Sequence, residues 1–328
     1  MYKAVRAMIW GHAVGDALGV PVEFESRESL AKKPVAEMRG YGSYDVPAGS
    51  WSDDTSMTLA LMESLARVGY YDYQDIMRNF VRWMDKAEFT PTGVMFDIGR
   101  ATMQALMKSV HGTGPLQCGG MSEHDNGNGS LMRIAPAALF LYAGKGTEAE
   151  AEDMQAIHEL SMLTHGHPRS MMACGIYVLI ALQLLEGRNL PEAIREGIRR
   201  ARDFYENQPL FVSEIPVYSM VWDIERLAKM SDETIKSSGY VVDTLEAVLW
   251  CLLNSGSYKE CVLKAVKLGE DTDTIAAIAG GLAGLAYGFE SITKEWRETL
   301  LKGEYIDELC RKFAERAMKQ QERMEHSL

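Results

Sequence analysis

Apolar residues recur along this chain with a helical period. Ile76, Met77, Phe80 and Met84 share one helical face, and Ile306, Leu309, Phe313 and Ala317 share another, with charged residues between them. The same period predicts further helices over about 54–68, 96–110, 131–144, 150–164, 169–186, 192–205, 241–254, 258–267 and 273–288. Alternating apolar and polar runs are scarce, so the predicted fold class is all-α. The longer irregular stretches fall at about 24–52, 111–130 and 206–220, and loops of that length inside a compact domain are commonly functional. No repeat and no low-complexity block divides the chain, so residues 1–328 read as a single domain.

One predicted helix carries a stripe of small residues. Gly280, Gly284 and Gly288 recur every four positions beside Ala276, Ala279 and Ala283. A glycine inside a helix costs about 1 kcal/mol relative to alanine, which is tolerable where a second helix backbone approaches closely. The stripe therefore predicts a central, tightly packed helix. Gly11, Gly15 and Gly19 repeat the spacing near the start of the chain. They lack GxGxxG spacing and follow no strand, so close packing suits them better than a dinucleotide loop. Asp16 lies among them, and a carboxylate on so apolar a face needs a partner or a cation.

Composition narrows the partners. Lys and Arg total 34 against 46 Asp and Glu, a net charge of −12, and the pI is about 5.2. Such a chain repels phosphate backbones broadly, yet leaves room for one phosphate or one cation in a local pocket. At 328 residues, 47% hydrophobic and 24% charged, it resembles an ordinary soluble globule able to fold without disulfides or structural metal. The five cysteines are widely spaced with no CxxC pair, which fits a reducing cytoplasm. Lys3 and Arg6 precede an apolar stretch in the manner of a signal peptide, but His12 and Asp16 interrupt it. No membrane span is expected.

Two acidic clusters precede predicted helices: Trp51-Ser52-Asp53-Asp54-Thr55 and Glu270-Asp271-Thr272-Asp273-Thr274. Each suits a helix N-terminus, where Ser, Thr and Asp cap free N–H groups and acids complement the dipole. Each also exceeds what one cap uses. Oxygen-rich clusters of this kind suit Mg²⁺ or Mn²⁺, and if the two helix starts meet, their carboxylates and hydroxyls suffice for two metals sharing a carboxylate. Asn126-Gly127-Asn128-Gly129-Ser130, read as entering a helix, offers backbone N–H groups to a phosphate, or else an ordinary turn with a serine cap. Thr164-His165-Gly166-His167-Pro168 reads as a loop with histidines between two helices, and Asp97 in FDIGR reads as a helix cap. GxSxG, HExxH and Walker motifs are absent.

The ordered set GHAVGDALGVPVEF, WSDDTSM, DIGRAT, NGNGSLMRIAPAAL, THGHP, GYVVDTLEAVLW and GEDTDTIAAIAGGLAGLAYG resembles the ADP-ribosylglycohydrolase family over about residues 4–290. The resemblance implies a single compact all-α domain with a dinuclear cleft holding two Mg²⁺ or Mn²⁺ ions. It implies metal ligands at Ser52, Asp53 and Asp54 on one side and at Asp271, Asp273 and Thr274 on the other, with Asp273 bridging. Ser52 stands where the family often has threonine, and keeps the hydroxyl. Asp16 is implied as support for the metal shell, and Glu23 as a gating-loop glutamate. Asn128, Gly129 and Ser130 are implied as a diphosphate loop, with Tyr240, His165 and Asp97 near the ribose and the scissile bond. Glu23 or Asp97 would relay the proton, beside Asp273 at the reacting centre. The implied substrate is an ADP-ribose conjugate, foremost ADP-ribosyl-arginine on a protein. The alternatives are a non-catalytic ADP-ribose-binding or structural relative, and a prenyl-synthase-type diphosphate enzyme. Asp53-Asp54-Thr55-Ser56-Met57 lacks the third acid of that enzyme's DDxxD motif.

Overall fold

Helix α1 (Tyr2–Gly19) runs backbone to backbone against a helix near the other end of the chain, Thr272–Tyr287. A Cβ placed on Gly11 would come 2.3 Å from the Gly280 carbonyl oxygen, and one on Gly15 would come 2.1 Å from that of Ala276. In return, a Cβ on Gly280 would meet the Gly11 oxygen at 2.3 Å, and one on Gly284 the Ala7 oxygen at 2.2 Å. No side chain fits at these distances, so the two glycine stripes are the two halves of one interface. Residues 2–19, for which the apolar period predicted no range, form a helix buried almost throughout from Val5 onward. Gly288 is not part of the stripe. It ends its helix at φ 83°, with nothing within 4 Å of the Cβ position.

The computed structural model describes the backbone of residues 1–325 and the side chains of 1–319. Between α1 and the closing helices run α2 (Arg27–Lys32), α3 (Asp53–Val68), α4 (Tyr73–Lys86), α5 (Arg100–Val110), α6 (Ala135–Lys145), α7 (Ala151–Met162), α8 (Pro168–Leu185) and α9 (Leu190–Glu206). The chain continues through α10 (Ser219–Trp222), α11 (Ile224–Ala228), α12 (Val241–Leu253), α13 (Tyr258–Lys267), α14 (Thr272–Tyr287), α15 (Lys294–Thr299) and α16 (Gly303–Glu325). Among the described residues, β structure is limited to two isolated bridges, Gly120 with His165 and Gly127 with Tyr240.

Around the α1–α14 spine, one continuous apolar core joins α3, α6, α8, α12, α13 and α16. Helix α8 is long and apolar enough to cross a membrane by length and composition, but 89% of it is buried among the other helices, as in a core helix. Helix α16 buries Ile306, Leu309, Phe313 and Ala317, the face that its period predicts. Arg6 and Asp307 pair at 2.7 Å and fasten it to α1. The irregular stretch 24–52 contains the short helix α2, and 206–220 contains a 3₁₀ segment, Val212–Tyr218. Helix α5 starts at Arg100, later than the period suggests, because Asp97 takes a left-handed conformation (φ 55°) and Gly99 becomes the cap.

The spine yields a stability prediction. Gly15→Val forces the two backbones apart, and overpacking of this kind costs about 1–3 kcal/mol or more. Thermal unfolding should shift down by at least roughly 3–10 °C. Gly256→Ala, whose new methyl meets only the Glu260 carboxylate at 3.7 Å, should leave Tm nearly unchanged. Equal Tm values for the two variants would contradict the spine.

Candidate active site

The backbone contact continues to the start of α14 and sets the site. A Cβ on Gly19 would lie 2.3 Å from the Asp273 Cα, so the end of α1 rests directly on the first turn of α14. One turn back on α1, the buried Asp16 carboxylate reaches the start of α3. Its Oδ1 accepts the Ser52 N–H at 2.9 Å, and its Oδ2 accepts the Thr55 N–H at 3.0 Å and the Thr55 hydroxyl at 2.6 Å. Asp16 thus satisfies donors that the first turn of a helix leaves free. Ser52 caps the same helix, its Oγ accepting the Asp54 N–H at 3.3 Å and donating to Asp54 Oδ2 at 3.0 Å. The Thr274 hydroxyl crosses from α14 and donates to that oxygen at 3.1 Å. The two acidic clusters, 220 residues apart in sequence at this contact, therefore meet.

Their carboxylates form two overlapping groups. One oxygen each from Asp16, Asp54 and Asp273 lie within 4.8 Å of one another, and so do oxygens of Glu23, Asp271 and Asp273. Asp273 belongs to both. Asp54 Oδ1, Asp273 Oδ2 and Glu23 Oε2 are buried without any hydrogen-bond partner. Arg133 is buried nearby, but its guanidinium donates to the Gly129 and Leu160 carbonyls. Burial, then repulsion among these acids, pushes Asp53, Asp54 and Asp273 well above the ordinary carboxylate range. Burial also raises Asp271, takes Asp16 and Asp97 to about 6, and takes Glu23 to about 9. Orphaned buried oxygens, an all-oxygen donor set and uncompensated negative charge fit hard divalent cations. Asp53, implied as a ligand, falls in neither oxygen group. After burial, the charges of Asp97, Asp54, Asp16 and Glu23 are what raise it.

Glu23 follows the 3₁₀ turn Val20–Val22, and its loop is stitched to the loop carrying Asp271. The Phe24 N–H donates to the Glu270 carbonyl at 2.7 Å, and the Glu270 N–H to the Glu25 carbonyl at 2.9 Å. Phe24 and Glu270 both adopt left-handed backbone (φ 66° and 59°) to make this exchange. Tyr44 lies beside Glu23 and Asp97, offsetting part of the upward shift of both, and its ring leans on Phe96 at 4.9 Å. Tyr44 was not among the expected site residues. Its only signal was the irregular stretch 24–52 that contains it. Asp97 does not cap α5, contrary to the simpler reading of FDIGR.

The Asn/Gly loop lies beside the acids. The Asn128 side-chain amide donates to Asp271 Oδ2 at 2.7 Å and to the Thr244 hydroxyl at 2.9 Å. The loop does not run straight into a helix, because α6 starts at Ala135 with Ile134 as its cap. Ser130 therefore caps nothing, and its buried Oγ accepts from the Ser161 hydroxyl at 2.9 Å. A Cβ on Gly129 would come 2.8 Å from His165 Cε1, so this glycine makes room for the imidazole. His165 is buried, with Nδ1 at 2.8 Å from the Thr164 hydroxyl, and burial lowers it to about 3, so the ring is neutral. His167 Nδ1 accepts the Arg169 N–H at 3.2 Å and caps α8. Tyr240 is half-buried, pairs its backbone with Gly127 and accepts a hydrogen bond from Arg169 at 3.1 Å.

Protons and metal ions compete for these carboxylates, which gives a pH prediction. The metal-free folded protein keeps protons on Asp16 and Asp97 up to about pH 6 and on Glu23 up to about pH 9. An unfolded chain releases them near pH 4. The folded state binds more protons in that window, so the cluster's contribution to metal-free stability falls as pH rises from about 4 to 9. The Tm difference between Mn²⁺-loaded and EDTA-treated protein should therefore grow from about pH 5 to about pH 8. A difference independent of pH would contradict the cluster as the binding site.

Comparison with known proteins places this geometry. The ADP-ribosylglycohydrolase family model matches residues 1–323. The chain is 33% identical over 315 residues to the ADP-ribosylarginine hydrolase Tri1 of Pseudomonas putida, covering 95% of this chain and 78% of that one. It is 32% identical over 307 residues to the ADP-ribosyl-dinitrogen reductase glycohydrolase of Rhodospirillum rubrum, covering 91% and 90%. A solved structure described as an ADP-ribosylglycohydrolase-related protein complex superposes with a TM-score of 0.79 at 27% identity, covering 97% of this chain and 99% of that one. By sequence over nearly its whole length and by an all-α fold of matching shape, the protein belongs to the ADP-ribosylglycohydrolase family, and is a hydrolase acting on ADP-ribose linkages.

Proposed function

We propose that the protein cleaves the glycosidic bond between ADP-ribose and an arginine side chain of a modified protein, using two Mg²⁺ or Mn²⁺ ions held where α3 and α14 begin. The observation that carries this reading is the meeting of the two acidic clusters, with Asp273 common to both oxygen groups and three buried oxygens unpartnered. Relatives at 32–33% identity named for ADP-ribosyl-arginine and for ADP-ribosyl-dinitrogen reductase support the linkage. Ser52, Asp53 and Asp54 would hold the ions from one side and Asp271, Asp273 and Thr274 from the other, Asp273 being common to both oxygen groups. Bound there, the ions would supply a Lewis acid for the ribose hydroxyls and a nucleophilic water near neutral pH.

The chain's own groups do the rest. Asp16 fixes the start of α3 and so the aim of Asp53 and Asp54. Asn128 holds Asp271 and gives its own N–H to the Gly239 carbonyl, so Gly129 and Ser130 are the loop residues that would offer N–H groups to the diphosphate. Breaking the C1″–N bond places positive charge on the ribose and sends the bonding pair to the guanidine nitrogen, which then needs a proton. Glu23 or Asp97 would carry it, since both carboxylates lie beside the cluster, with Tyr44 next to each. His165, neutral at every relevant pH, offers the ribose a hydrogen bond but no acid. Tyr240 stands beside the ribose. The five free, buried cysteines suit a reducing compartment, and the cytoplasm is the proposed location.

Purified protein incubated with ADP-ribosyl-arginine should release ADP-ribose with Mg²⁺ or Mn²⁺ and not with EDTA. Asp273→Ala should lower the rate by roughly 100-fold or more. Tyr44→Phe should lower kcat about 10-fold while keeping the metal-induced rise in Tm. Release that survives EDTA would overturn the two-metal reading. Metal-dependent binding of ADP-ribose with no cleavage of the arginine conjugate would overturn the assigned leaving group.

A further inference from the structure

Away from the carboxylate cluster, Glu123, His167 and Glu214 also bring ligand-type atoms within 4.8 Å of one another. This second group already holds a cation of the chain itself. Arg169, only 8% exposed, donates from Nε to Glu214 Oε2 at 2.7 Å, from Nη1 to Glu123 Oε2 at 2.8 Å and from Nη2 to Glu123 Oε1 at 3.3 Å. Its backbone is fixed as well. The Arg169 N–H binds His167 Nδ1, and its carbonyl accepts the Tyr218 hydroxyl at 2.6 Å. Glu214 is buried and Glu123 exposed, so the guanidinium is anchored from inside and gripped from the surface.

A buried ion pair is a poor source of net stability, because desolvation offsets most of its attraction. What this one does that an apolar side chain could not is donate to the Tyr240 hydroxyl at 3.1 Å. Tyr240 sits at a junction. A Cβ on Gly239, the preceding residue, would lie 3.2 Å from Asp271 Oδ2. The Gly239 carbonyl accepts the Asn128 N–H at 3.0 Å, and the Val241 N–H donates to the Asn126 carbonyl at 3.0 Å. The Tyr240 backbone is thus tied to the Asn/Gly loop, and its hydroxyl is tied to Arg169. Both ends of the side chain are held, and the half-buried ring between them has one orientation.

We propose that Arg169 is a positioning residue that locks the Tyr240 ring as a preformed wall of the ADP-ribose site, with Glu214 and Glu123 holding the guanidinium fork in register. The inference rests on the proposed function, because it takes Tyr240 to face the sugar. A ring fixed in advance loses no rotamer freedom when ligand arrives, so the effect falls on affinity more than on the chemical step. Lysine cannot replace the arginine here, since a single ammonium cannot reach two carboxylates and a hydroxyl in one plane.

The test measures ADP-ribose binding by calorimetry and KM and kcat with ADP-ribosyl-arginine, for wild type, Tyr240→Phe, Arg169→Lys and the double variant. Tyr240→Phe removes one oxygen from a half-buried ring and leaves the backbone ties intact, so it tests the contact without threatening the fold. Each single variant should weaken ADP-ribose binding about 5-fold and raise KM more than it lowers kcat. The double variant should be no worse than the weaker single, because both changes break one contact. The Mn²⁺-induced rise in Tm should persist in all three. Unchanged affinity in Tyr240→Phe, additive losses in the double variant, or a loss confined to kcat would overturn the positioning role. A wild-type protein that neither binds ADP-ribose nor releases it would instead overturn the proposed function, and would be seen before any variant is compared.

Discussion

The structure depends on one backbone-to-backbone contact, that of α1 with α14 through paired glycines. At Gly11, Gly15 and Gly19 on one side and Gly280 and Gly284 on the other, a single added carbon would meet backbone at 2.1–2.3 Å. This contact is more than a packing device. Because Gly19 lies on the Asp273 Cα, the end of α1 is locked to the start of α14, and Asp16 is carried to the start of α3. Three helices that begin or end at one point give the site its carboxylates. Loosening the spine would separate the acids.

Bringing the acids together has an electrostatic cost that the fold alone does not offset. Two carboxylate charges about 5 Å apart repel by about 3 kcal/mol even at an effective dielectric constant of about 20. Here several such pairs are buried, and the surrounding donors are few: hydroxyls from Ser52, Thr55 and Thr274, the Asn128 amide, and backbone N–H groups. Without a cation the cluster holds protons, and on the proposed reading a bound cation would take their place. That competition would make the local strain useful, because a site kept ready by the rest of the fold could bind metal without first having to assemble. The rim is organised on the same principle. Arg169, Glu214 and Glu123 spend their charges on one another and on Tyr240, which on the proposed reading would fix a wall of the cleft before substrate enters.

Much of this was legible in the sequence, and the exceptions have physical reasons. The helical period located the outer helices well because one face of each is solvated, as in α4 and α16. It gave no range for α1, a helix buried almost throughout, although it did give ranges for α8 and α14, which are buried as fully. The glycine spacing compensated by announcing a close approach in both segments, although only the fold could show that the two stripes face each other and that Gly288 lies outside the interface. The two acidic clusters announced themselves through more oxygens than caps require, and Asp273 proves to be the carboxylate common to both oxygen groups. Tyr44 was invisible because its partners, Glu23 and Asp97, approach it from distant loops. Ser130 shows the opposite failure: a loop that looked like a helix entrance ends four residues before the helix cap, and the hydroxyl turns inward to Ser161.

On the proposed reading, carboxylates gathered by α1, α3 and α14 form one divalent-cation centre organised around Asp273. Calorimetric titration of the metal-free protein with Mn²⁺, for wild type, Asp273→Asn and Glu23→Gln, tests it most directly. Two ions per wild-type chain are expected, with weakened binding of both in Asp273→Asn and of one in Glu23→Gln. An Asp273→Asn protein that binds two ions as tightly as wild type, or a wild-type chain that binds none, would contradict it.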